Sequence, residues 1–168
     1  MPASRFLLDG NIYNLLATEA AVRNQISALT ENCRVEIVAS PVLVTELQRS
    51  PFRGVPTWFT AVVQPEGIAI SGLARSGMAR SSGGAMYRQH FGESKQGFDA
   101  ILAHSAYSMG ATLVSEDRRC RERLKQFGDT GRAITYSEFK AWLDSESVNS
   151  HDARRPNTAC SRRRSVQS

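Results

Sequence analysis

The chain is 168 residues long, 41% hydrophobic, with a formal net charge of +5. That length predicts one domain with a core of ordinary size, and no run nears the ~18 apolar residues that a membrane span needs. Asp9 interrupts the early apolar stretch, so no export signal is expected and the cytoplasm is the expected compartment.

The first predicted element is a buried strand over residues 5–9, RFLLD. Ile12, Leu15, Leu16, Val22, Ile26 and Leu29 follow at helical spacing and predict a helix over 11–29. β-Branched residues make 34–39 a second strand. Ser40 as N-cap and Pro41 as first helical residue open a helix that should run to about Arg49 and stop before Pro51. A short helix is expected over 56–64, a strand over 67–71 and a helix over 85–91, with no single conformation assigned to 72–84.

Phe98, Ile101, Leu102, Ser105, Ala106 and Met109 share one helical face, closed by Gly110. Residues 111–115 read as a buried strand and 117–127 as a basic helix ended by Gly128. A Gly-Asp-Thr-Gly turn leads to a short strand at 133–135, and 137–144 form a last helix carrying Phe139, Trp142 and Leu143. Strands alternating with helices predict an α/β domain with a mainly parallel sheet over residues 1–147. Residues 148–168 read as a basic tail, disordered on its own.

Five arginines against Asp152 put +4 of the charge on residues 151–168 and leave +1 on the rest. Within the body, Arg118, Arg119, Arg121, Arg123 and Lys125 form a basic cluster directly after Asp117. Such a cluster suits a polyanion held over an acidic pocket, or simply a solvated helix face. Cys33, Cys120 and Cys160 are odd in number and widely spaced, and are expected as reduced thiols.

Four acids carry the chemistry. Asp9 and Asp117 each follow an apolar strand, which places them at the carboxyl edge of the sheet, where open α/β sheets bind ligands. Asp99 sits in the first turn of its helix, where the helix dipole favours a carboxylate. Glu46 shares a stripe with Leu43 and Leu47, and a carboxylate at the margin of a buried face calls for a partner or a cation. Singly, each acid has a structural use as turn, cap or dipole complement. Gathered together, they would push one another's pKa upward. Mg²⁺ or Mn²⁺ removes that conflict with a few oxygen ligands, and the chemistry implied is metal-assisted phosphodiester hydrolysis. His90, His104 and His151 suggest metal-free acid–base cleavage as another route. Trp58 and Phe59 could stack on unpaired bases, although core packing is the simpler use of both rings.

The segments LLDGN (7–11), PVLVTEL (41–47), FDAILAHSAYSMGATLVSED (98–117) and ITYSEF (134–139) resemble the PIN-domain family, especially ribonuclease toxins of the VapC type. The likeness spans about residues 5–143. It implies a PIN-like three-layer α/β fold, with Asp9, Glu46, Asp99 and Asp117 at the positions of metal-binding, catalytic acids. It also implies supporting roles for Asn11 and Ser115, and a cofactor of Mg²⁺ or Mn²⁺. The activity implied is endonucleolytic cleavage of RNA that leaves a 5′-phosphate. The partners implied are an antitoxin protein and a second copy of the chain. Arg118, Arg119 and Arg121 are candidate phosphate contacts. Gly10 departs from the usual Thr or Ser after the first Asp, and Arg119 stands where some relatives carry a further acid.

Two other readings compete. A phosphatase of the haloacid-dehalogenase kind would use Asp9 as nucleophile, but it wants a general acid two residues on, where this chain has Asn11. A catalytically dormant PIN-like module would use the basic helix and tail to bind RNA or protein, in a salt-dependent way for RNA.

Overall fold

The structure is a computed structural model and describes residues 2–63, 97–125 and 132–152. In chain order these form β1 (Ser4–Leu8), α1 (Gly10–Thr18), α2 (Ala20–Glu31), β2 (Val35–Ala39), α3 (Pro41–Arg49) and β3 (Ala61–Val63). There follow α4 (Gly97–Ser108), β4 (Thr112–Val114), α5 (Arg118–Lys125), β5 (Ala133–Ile134) and α6 (Tyr136–Asp152).

The strands make one sheet in the order β3-β2-β1-β4-β5, and every pairing is parallel. With helices flanking the sheet, this is the α/β architecture that the sequence predicts for a PIN-like fold. The chain begins on the central strand, winds outward through β2 to β3, then returns to add β4 and β5 on the other side. The winding direction therefore reverses between β1 and β4. Such a reversal opens a crevice at the carboxyl ends of the two strands, the usual ligand position in open parallel sheets.

Sheet burial follows from the parallel pairing. Phe6, Leu7 and Leu8, then Val35, Ile37, Val38 and Ala39, then Leu113 and Val114 are all buried. These near-continuous apolar runs are what strands covered on both faces require. Phe6 stacks against Phe139 at 4.9 Å and Trp142 at 4.7 Å, which docks α6. On α3, Ser40 accepts a hydrogen bond from the Leu43 N–H at 3.3 Å, with Pro41 at the first turn, as expected. Gly110 ends α4 with φ +60. Its N–H donates to Tyr107 at 3.0 Å and that of Ala111 to Ala106 at 2.9 Å, the paired bonds of a Schellman closure.

Four expectations are corrected. The helix expected over 11–29 is two helices, broken at Glu19 (φ −112, ψ 75), where Thr18 turns its hydroxyl back onto the Leu15 carbonyl. The helix expected over 56–64 is a turn-rich stretch leading into edge strand β3, whose register against β2 is set from Ile37 to Ala39. The last helix runs past Leu143 and Asp144 to Asp152. Cys120 is a free, buried thiol, but Cys33 is disulfide-bonded. The strand expected at 67–71, the stretch 72–84, the helix at 85–91, the turn closed by Gly131 and the chain after Asp152 lie outside the described residues. Among the described residues no helix is long and apolar enough to cross a membrane.

Candidate functional site

β1 delivers Asp9 to the crevice. Its backbone N–H donates to the Val114 carbonyl at 2.9 Å, which ties the residue to the end of β4 across the point where the winding reverses. Asp9 leaves the strand in an extended conformation and caps α1, with Oδ1 accepting from the Gly10 N–H at 2.6 Å. Its Oδ2 accepts from Asn11 Nδ2 at 2.9 Å and from Ser115 Oγ at 2.6 Å. Three donors thus hold one buried carboxylate.

Ser115, also buried, lies just beyond β4. Its single hydroxyl proton goes to Asp9, and its lone pairs accept the Asp117 N–H at 3.0 Å. One side chain therefore sets the spacing between the first and last acids. Asp117 uses Oδ1 to cap α5, accepting from the N–H of Arg119 at 2.7 Å and of Cys120 at 3.4 Å. The capping use considered for this residue is real and coexists with its place in the crevice.

Asp99 lies in the first turn of α4. The Cys120 thiol reaches its backbone carbonyl at 3.8 Å, joining the start of α4 to α5. Oδ2 of Asp99 is buried and accepts no hydrogen bond, and the same holds for Oδ1 of Asn11. Glu46 enters from α3, between the fully buried Leu43 and Leu47. Its carboxylate lies against the α-carbon of Gly10: a Cβ built there would stand 2.8 Å from Oε1 and 3.2 Å from Oε2.

The electrostatics show that these acids share one neighbourhood. Burial raises the pKa of Asp9 and the Asp117 charge adds to the rise, while the bonds from Ser115, Gly10 and Asn11 oppose it. Burial raises Glu46 also, followed by the charges of Asp9 and Asp99. Burial likewise raises Asp99, with Asp117 and Asp9 adding and Arg123 and Arg119 opposing. Asp9, Asp99 and Asp117 thus each act on the ionisation of another acid, and Glu46 feels two of them. They stand within reach of one another's charge rather than in ligating contact. Among the described residues, no three His, Cys, Asp or Glu side chains are grouped closely enough to hold a metal ion as placed. The donor set nevertheless fits a hard divalent cation, being all oxygen, and the unpartnered Asp99 Oδ2 is an acceptor that burial has cut off from water.

The basic helix divides its arginines among different tasks. Arg118 is paired with Glu122 at 2.6 Å on the open surface. Arg121 donates Nη1 to the Ser115 carbonyl at 2.5 Å and so braces the end of β4. Arg119 is exposed, and its charge acts on Asp99. Arg123 is buried and acts on Asp99 more strongly than Arg119 does, a role not assigned from the sequence. The signal for it was the helical spacing of Cys120, Arg123 and Leu124, which share the buried face of α5. The thiol of buried Cys120 is pushed up by desolvation and by Asp9, Asp99 and Asp117, which makes it inert. His104 is buried within α4 and pairs Nε2 with Ser108 Oγ at 3.2 Å. Phe59 is core, and Trp58 packs on Phe52 beneath the Arg23 guanidinium, 4.7 Å from its ring. His90 lies outside the described residues.

No family model matches the chain. No curated protein matches it either. Among solved structures, it is similar to one described as the crystal structure of PAE2754 from Pyrobaculum aerophilum. The identity is 17% and the TM-score 0.44, over 86% of this chain and 98% of that one.

Proposed function

We propose that the chain is a divalent-metal-dependent endoribonuclease that hydrolyses RNA phosphodiester bonds. The observation that supports this most is that Asp9, Glu46 and Asp99 each feel the charge of another of the four acids, Asp117 included, at the crevice between β1 and β4. A cluster of carboxylates in which Asp9, Glu46 and Asp99 are pushed upward, at the ligand-binding edge of a parallel sheet, is better explained by a cation than by stability.

Asp9, Glu46, Asp99 and Asp117 would hold Mg²⁺ or Mn²⁺. When bound, the cation supplies Lewis acidity towards water and phosphate oxygens. The residues themselves do the rest. Gly10, Asn11 and Ser115 hold Asp9 in one orientation and favour its ionised form. Ser115 fixes the backbone of Asp117 relative to Asp9. Arg123 offsets part of the negative charge at Asp99, and exposed Arg119, whose charge also acts there, is the candidate phosphate contact. Asn11 gives its amide to Asp9, and an amide is no source of a proton for a leaving group, which weighs against phosphatase chemistry.

The toxin assignment, an antitoxin partner and a homodimer rest on the resemblance of the LLDGN, PVLVTEL, FDAILAHSAYSMGATLVSED and ITYSEF segments alone. The test is incubation with total RNA in Mn²⁺ or in EDTA, followed by mapping of the cut ends. Cleavage in Mn²⁺ that EDTA abolishes supports the proposal. RNA binding without cleavage, unaffected by EDTA, would instead establish the dormant binding module.

A further inference from the structure

Gly10 is the first residue of α1 and follows Asp9 directly. Two ordinary reasons for glycine do not apply to it. Its φ is not positive, since the glycines with positive φ among the described residues are Gly54 and Gly110. Helix formation does not call for it either, because alanine is the better helix former. Its one hydrogen bond to Asp9 comes from the backbone and would survive replacement by alanine.

What a side chain at position 10 would remove is space. Its Cβ would lie 2.8 Å from Oε1 of Glu46, closer than a Cβ stands to any unbonded atom, and a tight 3.0 Å from Cδ. The obstructing group is the far end of a flexible side chain on a half-open surface, so the cheap response is for Glu46 to leave while both helices keep their course. We infer that the absent side chain at position 10 is what admits the Glu46 carboxylate to the acid cluster, making Gly10 a positioning residue for a divalent cation. This rests on the metal-dependent reading above. It also explains how a carboxylate from α3 reaches a site built mainly on β1, β4 and α4. The route runs over the bare backbone at the start of α1.

The test is a calorimetric Mn²⁺ titration of the wild type, Gly10→Ala, Glu46→Ala and the double variant, with melting of each in EDTA. Gly10→Ala should melt no lower than the wild type in EDTA, and should bind Mn²⁺ about tenfold more weakly, the scale of lost support around a metal site. In the Glu46→Ala background the same substitution should change affinity less than about twofold, because no carboxylate remains to be displaced. Three results would overturn the inference alone: wild-type affinity in Gly10→Ala, a full tenfold loss persisting in the double variant, or a Gly10→Ala chain that no longer folds. A wild type with no saturable Mn²⁺ binding would overturn the metal reading and this inference with it.

Discussion

Ser115 donates its hydroxyl proton to Oδ2 of Asp9 at 2.6 Å, across 106 positions of chain. The Ser115 Oγ in turn accepts the Asp117 N–H at 3.0 Å. Ser115→Ala removes both bonds at once and leaves a buried carboxylate short of a donor. The expected cost is about 1–3 kcal/mol of unfolding free energy, with Mn²⁺ affinity down about 10- to 100-fold. Urea unfolding beside a Mn²⁺ titration measures both. A variant as stable and as tight-binding as the wild type would show that the serine merely fills space.

Metal-free stability should depend on pH through the crowded acids. Asp9, Glu46 and Asp99 have folded pKa values above their ordinary 3.8 or 4.5. A raised folded value gives stabilisation that is complete below the unfolded pKa and is lost as pH rises through the folded one. The protein in EDTA should therefore lose stability from these groups as pH climbs from about 4 towards neutrality. Glu122 and Glu138 are lowered and run the other way, but both lie on the open surface, where such effects are small. Asp99→Asn removes one of the conflicting charges, so it should gain on the wild type as pH rises. Unfolding curves at four pH values test this, and parallel curves for the two proteins would contradict it.

The arginines of α5 should separate by function. Arg119→Ala should weaken RNA binding and lower the salt slope by about one released ion, at little cost in stability. Arg118→Ala should change neither much, since its side chain is 82% exposed and paired with Glu122. Arg121→Ala should act on stability, because it gives up the bond to the Ser115 carbonyl. Filter binding over a range of salt, with melting curves, distinguishes the three. Equal loss of RNA affinity in all of them would make the helix a diffuse basic surface.

What the sequence made legible, and what it hid, divides by range. Asp9 and Asp117 could be placed at the sheet edge because each follows an apolar run, and a strand fixes where its end lies. Ser40-Pro41 and Gly110 mark helix ends through local chemistry, and both ends stand where expected. Edge strand β3 was hidden because three residues carry no readable period, and its pairing with β2 is a long-range contact. The break at Glu19 escaped because the apolar spacing runs on through it from Leu16 to Val22. The approach of Glu46 to Gly10 and the action of Arg123 on Asp99 depend on how α1, α3, α4 and α5 meet, which no single helix's pattern records.

The central claim is that four carboxylates share one divalent ion, and titration of Mn²⁺ into Asp9→Asn, Glu46→Gln, Asp99→Asn and Asp117→Asn beside the wild type tests it most directly. The account predicts saturable wild-type binding that every one of the four substitutions weakens by about tenfold or more. Wild-type binding that two or more of them leave untouched would contradict it.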